Sequence, residues 1–373
     1  MSFSFSFTPK DLDDDDDGHV EDSVTPPSST SPDIHSKSTE ETNVLDSPRL
    51  LQDGILQPKL EDLVDMLHSL WDVRVSFEEF NPMGNQQTGG VVLYKRSLFD
   101  IEHQLMSEND FVQSEDGELD ILMKEDIRKS VYEGGLKPWE CSTDLILQLH
   151  SMSTSGELSI QDLGCVIELG CGTAFPAEYI FAEYIKSRSK DGLRIILTDY
   201  NHTALRLATV PNILITWAKL ALSKEELQTL QPDIPVLDSN EEILFTGDLL
   251  KRFYSDMEAR NIVIDLISGC WGRKFLDIVH DLIRENPGGR NMLILTSETI
   301  YQPENLPVVA EIVLDLKDTP AYSQRTLSMV AAKDIYFGVG GSIIEFERYL
   351  KSKNTDFKTI KVSSGLKRSI VLL

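Results

Sequence analysis

The sequence is short of cations, cysteines and long apolar runs. Lys and Arg number 35 against 61 Asp and Glu, a formal charge of −26. A nucleic-acid backbone is bound through many neutralising cations, and an anionic membrane surface attracts the same groups. Direct binding to nucleic acid or membrane is therefore not expected, whereas a basic protein partner is compatible with the charge. No run of about 18 apolar residues occurs, so no transmembrane helix is expected. The opening MSFSFSFTPKDLDDDDD has neither a positive n-region nor an apolar h-region, and is not expected to act as a secretory signal. The cysteines, Cys141, Cys165, Cys171 and Cys270, are too few and too scattered for a disulfide framework and contain no C-x-x-C. The seven histidines contain no H-E-x-x-H. No metal is expected, and a reduced cytoplasmic and nuclear setting fits best.

What is present is unevenly spread. Residues 1–55 carry 13 Asp and Glu against 3 Lys and Arg. The stretch Thr25 to Ser38 is rich in Ser, Thr and Pro, and such composition cannot bury enough apolar surface to offset its ordering entropy. Residues 1–57 are expected to be a disordered acidic tail, with 1–55 dispensable for ligand binding. Asp13 to Asp17 could dock a basic surface or simply be solvated. Phe3, Phe5 and Phe7 alternate with Ser and would share one face of an extended strand. Leu60, Leu63, Val64, Leu67, Leu70 and Trp71 follow helical spacing, predicting an amphipathic helix over 59–72. Residues 91–106 read as strand, turn and helix. A folded extension over 58–117 precedes the main domain at 118–373.

From residue 164 strands and helices alternate. CVIEL, RIILTD, VIDLIS, MLILTS and TLSMVAAK are short apolar runs, separated by stretches of helical spacing. PENLPVVAEIVLDLK is a predicted helix with Pro303 in its first turn. The alternation implies α/β architecture with a mostly parallel, doubly wound sheet. KTIKVSS and KRSIVLL are joined by too few residues for a parallel crossover, so the last strand is predicted to be antiparallel.

Two features carry chemistry. Glu168-Leu169-Gly170-Cys171-Gly172-Thr173 ends one strand and opens a helix. Its glycines let backbone approach a ligand, and a helix start offers free N–H groups. A tight structural turn would look the same, and Phe175 stands where a full G-x-G-x-x-G needs its third glycine. Asp199, in Leu197-Thr198-Asp199-Tyr200-Asn201, ends the next strand, where a carboxylate can accept from ribose hydroxyls. Helix capping would also place an Asp there. Together they point to a nucleoside site at the first crevice of the sheet.

With these residues in view, the chain resembles a family, the protein-histidine methyltransferases of fungi and animals, within the seven-strand class I S-adenosylmethionine-dependent methyltransferases. The matching segments are YEGGLKPWEC (132–141), IELGCGT, TDYN, Ile267 to Trp271 (ISGCW), Leu295 to Tyr301 (LTSETIY), Ala332 to Gly341 (AKDIYFGVGG), Gly365 to Arg368 and the opening FSFSF. The resemblance implies a Rossmann-like seven-stranded sheet. It implies S-adenosyl-L-methionine as cofactor, with Lys137, Pro138, Trp139, Glu140 and Cys141 along its methionine side. Glu168, Gly170, Cys171 and Gly172 would lie beneath it, and Asp199, Tyr200 and Asn201 would hold the ribose and cover the adenine. Gly269, Cys270 and Trp271 would border the adenine, and Ser297 and Glu298 would stand near the transferred methyl. Cys270 departs from relatives that can carry an acid there. Residues between Trp217 and Val263 have no counterpart in shorter relatives; within them Ile243 to Asp248 rivals ISGCW as the adenine-side strand, and ISGCW is preferred.

The implied substrate is a basic protein, a large-subunit ribosomal protein methylated at the tele nitrogen of a histidine, and the enzyme is expected to be a monomer. A neutral imidazole needs no prior deprotonation near neutral pH. A carboxylate accepting its other N–H would fix the tautomer; Glu298 and Asp334 are the catalytic candidates, with Glu298 preferred. Two other readings remain at this stage: a protein-lysine methyltransferase, and a non-catalytic acidic escort of ribosomal proteins.

Overall fold

Residues 163–169 (LGCVIEL) and 193–199 (LRIILTD) are buried at every position in the computed structural model. Strands covered on both faces belong inside a parallel sheet flanked by helices. The structure describes residues 43–84, 92–111, 134–231, 241–285, 290–319, 324–336, 338, 340–362 and 365–373. The Phe tip, the Asp run, the first residues of YEGGLKPWEC and part of GVGG lie outside them.

Among the described residues, the main sheet has eight strands in the order β1-β7-β5-β4-β8-β9-β11-β10. They are β1 (Lys59–Glu61), β4 (Leu163–Leu169), β5 (Leu193–Asp199), β7 (Ile262–Ser268), β8 (Asn291–Ser297), β9 (Thr326–Lys333), β10 (Lys358–Lys361) and β11 (Arg368–Leu372). The pairs β5–β7, β4–β5, β4–β8 and β8–β9 are parallel. β11 runs antiparallel to both β9 and β10, as the short terminal connection requires. Seven strands thus form the expected Rossmann-like sheet, and β1 adds an eighth, antiparallel to β7. Helices Glu140–Ser155, Phe175–Ser187, Val210–Ala221 and Gly247–Ala259 contribute to the core on one face. Helices Arg273–Arg284, Leu306–Lys317 and Ile343–Ser352 pack against the other.

The N-terminal part differs from its sequence reading. The helix expected over 59–72 is shorter, Leu63–Ser69, because Asp62 caps it and 59–61 pair with β7 instead. The Asp62 carboxylate accepts from the N–H groups of Val64 and Asp65. Met66, Leu67 and Leu70 are buried, while Leu60, Val64 and Trp71 stay about half exposed. β2 (Arg74–Phe80) pairs with β3 (Leu93–Arg96) and with β6 (Glu242–Leu244), so extension and insertion together build one small sheet. This settles the rivalry over the adenine-side strand: β7, not Ile243 to Asp248, lies beside β5. Residues 42–373 form one compact unit. Within it, residues 43–57 are not the continuation of a tail: Val44–Asp46 and Pro48–Leu51 are short 3-10 turns, and Leu45 is buried in the core.

Two prolines shape the helices. Leu306–Lys317 starts later than expected, with Pro307 rather than Pro303 in its first turn, where a missing N–H costs nothing. Pro211 opens Val210–Ala221 after a wide π turn at Leu205–Thr209. Pro211 cannot donate to Leu207, whose carbonyl accepts instead from Arg96 Nη1 at 3.3 Å. Helix Ile343–Ser352 is capped by Ser342, whose hydroxyl accepts from the Glu345 N–H at 3.0 Å. Ser342→Ala should therefore lower stability by about 1 kcal/mol, read as a lower urea midpoint at constant slope.

Candidate active site

The carboxyl ends of the parallel strands surround a cavity of about 480 Å³. Its floor is the turn after β4. Gly170 and Gly172 take φ of +64° and +51°, a left-handed backbone that a side chain disfavours. Space is equally tight: a Cβ on Gly172 would sit 2.9 Å from the Gly135 carbonyl oxygen, and one on Gly170 would meet Thr299 and the Trp271 ring. Helix Phe175–Ser187 begins only after Ala174, itself at φ +59°. Segment 134–139 crosses over this turn and is tied back by a Trp139 Nε1 bond to the Gly134 carbonyl at 3.0 Å.

Asp199 stands at the tip of β5 and is buried. Its carboxylate accepts from the Gly172 N–H at 2.9 Å and the Asn201 N–H at 3.0 Å. Burial pushes its pKa up to about 6, partly offset by N–H groups of Asn201, Gly172 and Tyr200. Glu168 lies deeper and is absent from the cavity wall; it accepts from the Ala177 N–H at 2.9 Å. Burial lifts its pKa to about 8, the Ala177 N–H opposing and the Asp199 charge adding to the shift. Glu168 is therefore mainly protonated near neutral pH and acts as a brace for the turn. Cys171 lines the cavity, but burial first and the neighbouring carboxylates next push its thiol well up, which suits a small wall residue rather than a nucleophile.

The other end of the cavity is polar and aromatic. Glu298, buried just beyond β8, has φ +57°, an uncommon backbone for a residue with a side chain and a feature that clusters at functional sites. Its Oε2 accepts from the Tyr336 hydroxyl. Its Oε1 is buried with no hydrogen-bond partner among the described residues. Lys333 Nζ lies 3.9 Å from that oxygen and 3.4 Å from Glu140 Oε2, 5.7 Å from the centre of the Trp139 ring. Burial, then the Glu298 charge, raises the Tyr336 hydroxyl pKa far above its ordinary value, so it stays a donor.

The cavity brings together Lys137, Trp139, Gly170, Cys171, Gly172, Asp199, Tyr200, Gly269, Cys270, Trp271, Ser297 and Glu298 from the sequence reading. Pro138, Glu140, Cys141, Glu168, Asn201 and Asp334 stand outside its wall. Glu140 reaches the site through Lys333, and Asn201 through its N–H on Asp199. Cys141 is fully buried, its thiol pushed up by burial and by the Glu298 charge. Asp334, the second catalytic candidate, is held by the Ser369 hydroxyl and by Lys361 Nζ at 3.1 Å, which turns it toward β10 and β11 and away from the cavity. Sequence reasoning missed Lys333, Tyr301 and Gln302, and four residues from the supposed tail, Arg49, Leu50, Gln52 and Ile55. Tyr301 and Lys333 sat inside quoted motifs; the tail residues carried no motif at all.

The residues fit a nucleoside-bearing cofactor. Glycines keep the floor open where a Cβ would collide, Asp199 supplies an acceptor at the ribose position, and the buried Trp271 Nε1 is a donor with no partner among the described residues. Seven strands with an antiparallel last member, a glycine turn after the first and an acid after the second define a class I methyltransferase fold. No protein-family model matches the chain. The chain is 47% identical to histidine protein methyltransferase 1 of Saccharomyces cerevisiae over 395 aligned positions, covering 100% of this chain and 98% of that protein. It is 35% identical to histidine protein methyltransferase 1 of Schizosaccharomyces pombe, covering 76% and 77%. Similar solved structures include the N-terminal domain of human METTL16 (TM-score 0.35, 9% identity, 63% of this chain and 70% of that chain). Magnesium protoporphyrin IX methyltransferase from Synechocystis PCC 6803 is another (TM-score 0.31, 8% identity, 62% and 81%). The chain belongs to the histidine protein methyltransferase 1 family.

Proposed function

We propose that this chain transfers a methyl group from S-adenosyl-L-methionine to the tele nitrogen of a histidine in a large-subunit ribosomal protein. The observation that supports this most is a buried carboxylate oxygen of Glu298, a cavity-wall residue, that has no hydrogen-bond partner among the described residues. With Oε2 taken by Tyr336, only Oε1 is left to accept a ring N–H. An imidazole held there by its pros N–H keeps the lone pair of its tele nitrogen free. When bound, the cofactor supplies an already activated methyl, so the protein's part is orientation and a dry site. Asp199 and Tyr200 hold the nucleoside end, Trp139 and Trp271 exclude water, and Glu298 fixes the acceptor tautomer and stabilises the positive charge that develops on the ring. Lys333 Nζ lies 3.9 Å from Glu298 Oε1. The acidic balance of the chain suits a basic ribosomal partner.

Tritiated cofactor added with the enzyme to lysate from cells lacking it should label one ribosomal protein, and acid hydrolysis should release the label as tele-methylhistidine. Label on lysine would overturn the acceptor assignment. The rate should rise with pH through the substrate histidine pKa, about 6.5 in reference peptides, and then level off. A rate that keeps climbing toward about pH 10 is the lysine signature.

A further inference from the structure

The outer wall of the cavity does not come from the methyltransferase frame. It comes from residues 43–57, which lie across the ends of β5 and β7. The segment is fastened along its length. Leu45 is 3% exposed, in the core with helices Arg273–Arg284 and Leu306–Lys317. Asp46 pairs with Arg273 at 3.0 Å, and Arg49 Nη2 donates to the Glu304 carbonyl at 2.9 Å. Further on, the Leu56 carbonyl accepts from the Cys270 N–H at 2.7 Å, and the Leu56 N–H donates to the Tyr200 hydroxyl at 3.2 Å. Gly269, at φ +100°, makes room for it: a Cβ there would collide with the Gln57 carbonyl. Gly272 does the same for Leu50, whose Cδ1 would be 2.9 Å from a Cβ. Arg49, Leu50, Gln52 and Ile55 of this segment line the cavity, as do Gly170 to Gly172.

We propose that residues 49–55 form the outer half of the nucleoside pocket, with Leu50 and Ile55 receiving the flat apolar face of a purine. This rests on the cofactor reading above and assigns the purine a contact that the family's motifs do not include. Tyr200, Gly269 and Cys270 are each bonded to this segment or cleared for it, so the loops on the adenine side are built to carry it. Within 49–55, Arg49 Nη2 also donates to Asn305 Oδ1 at 3.1 Å and the Leu50 carbonyl accepts from Gln57 Nε2 at 2.9 Å. Residues 43–57, expected from sequence to belong to the tail, then belong to the binding site.

The test uses the full chain and S-adenosylhomocysteine as the probe. Amide exchange in 49–57 of the wild-type protein should slow about tenfold or more when the probe is added. The double variant Leu50→Ala/Ile55→Ala should keep the ligand-free melting transition and bind the probe about tenfold more weakly, mainly through faster dissociation. Tenfold corresponds to about 1.4 kcal/mol, within the value of two apolar side chains. Unchanged exchange, together with a double variant that dissociates at the wild-type rate, overturns the wall while leaving the cofactor reading standing. A wild-type chain that does not bind the probe, or an Asp199→Ala chain that binds it as tightly as wild type, overturns both. Should the double variant melt early, the wild-type exchange result decides alone.

Discussion

Replacing Glu298 by Gln should slow single-turnover methyl transfer about a hundredfold while leaving S-adenosylhomocysteine affinity within about twofold. The size is that of one positioned acid–base or electrostatic group in a dry site. Gln keeps the side-chain length and one acceptor oxygen, but loses the charge that stabilises a forming imidazolium. It also brings two N–H donors to a place where Tyr336 already donates. If the amide turns its oxygen to Tyr336, the position of Oε1 becomes a donor and repels the pros N–H. The acceptor would then bind in the other tautomer, with the tele nitrogen facing the methyl protonated and without a free lone pair, or not at all, so the rate falls with no shift of product to the pros isomer. The nucleoside end is untouched, because Asp199 lies on β5 and Glu298 beyond β8. Wild-type single-turnover rates in Glu298→Gln would remove Glu298 from the mechanism. Asp334 would not replace it, since both its oxygens are engaged by Ser369 and Lys361.

How far the sequence reached depended on what each residue's role looks like in one dimension. The central strands were legible because burial on both faces writes an unbroken apolar run, as in 163–169 and 193–199. The antiparallel last strand followed from chain length alone. Asp199 and the glycine turn were legible because backbone close to a ligand demands glycine and a ribose demands an acceptor. Segment 59–72 misled because Leu60, Val64 and Trp71 fit a helical stripe that Asp62 interrupts. Asp334 misled because its proximity to GVGG says nothing about which way its carboxylate turns, and Ser369, distant in sequence, decides that. Arg49 to Ile55 were hidden by the acid around them. Their apolar side chains are few, and they are ordered by partners such as Cys270 and Tyr200 far along the chain.

Asp199→Ala should weaken S-adenosylhomocysteine binding by about 1–3 kcal/mol, the scale for hydrogen bonds to a charged group, and should remove a pH dependence that the wild-type protein shows. In the ligand-free protein, burial raises the Asp199 pKa to about 6 from 3.8. Ribose hydroxyls donating to the ionised carboxylate favour that form, so the bound state has a lower pKa than the free state. Affinity is then full above about pH 6 and falls as pH drops below it, by up to about tenfold per pH unit until the bound-state pKa is reached. The same group acts oppositely on the stability of the ligand-free protein. Its folded pKa lies above the unfolded value, so the folded state takes up the proton first, and this group's contribution to stability grows as pH falls from about 6 toward 3.8. Binding and stability should therefore move in opposite directions across one window, a pattern that general acid unfolding cannot produce. Calorimetric titrations between pH 5 and pH 8, run beside urea unfolding of wild type and Asp199→Ala, separate the two effects. A wild-type affinity that stays flat through pH 6 would mean that Asp199 is not on the ribose, and a variant that keeps the slope through pH 6 would show that Asp199 is not the titrating group.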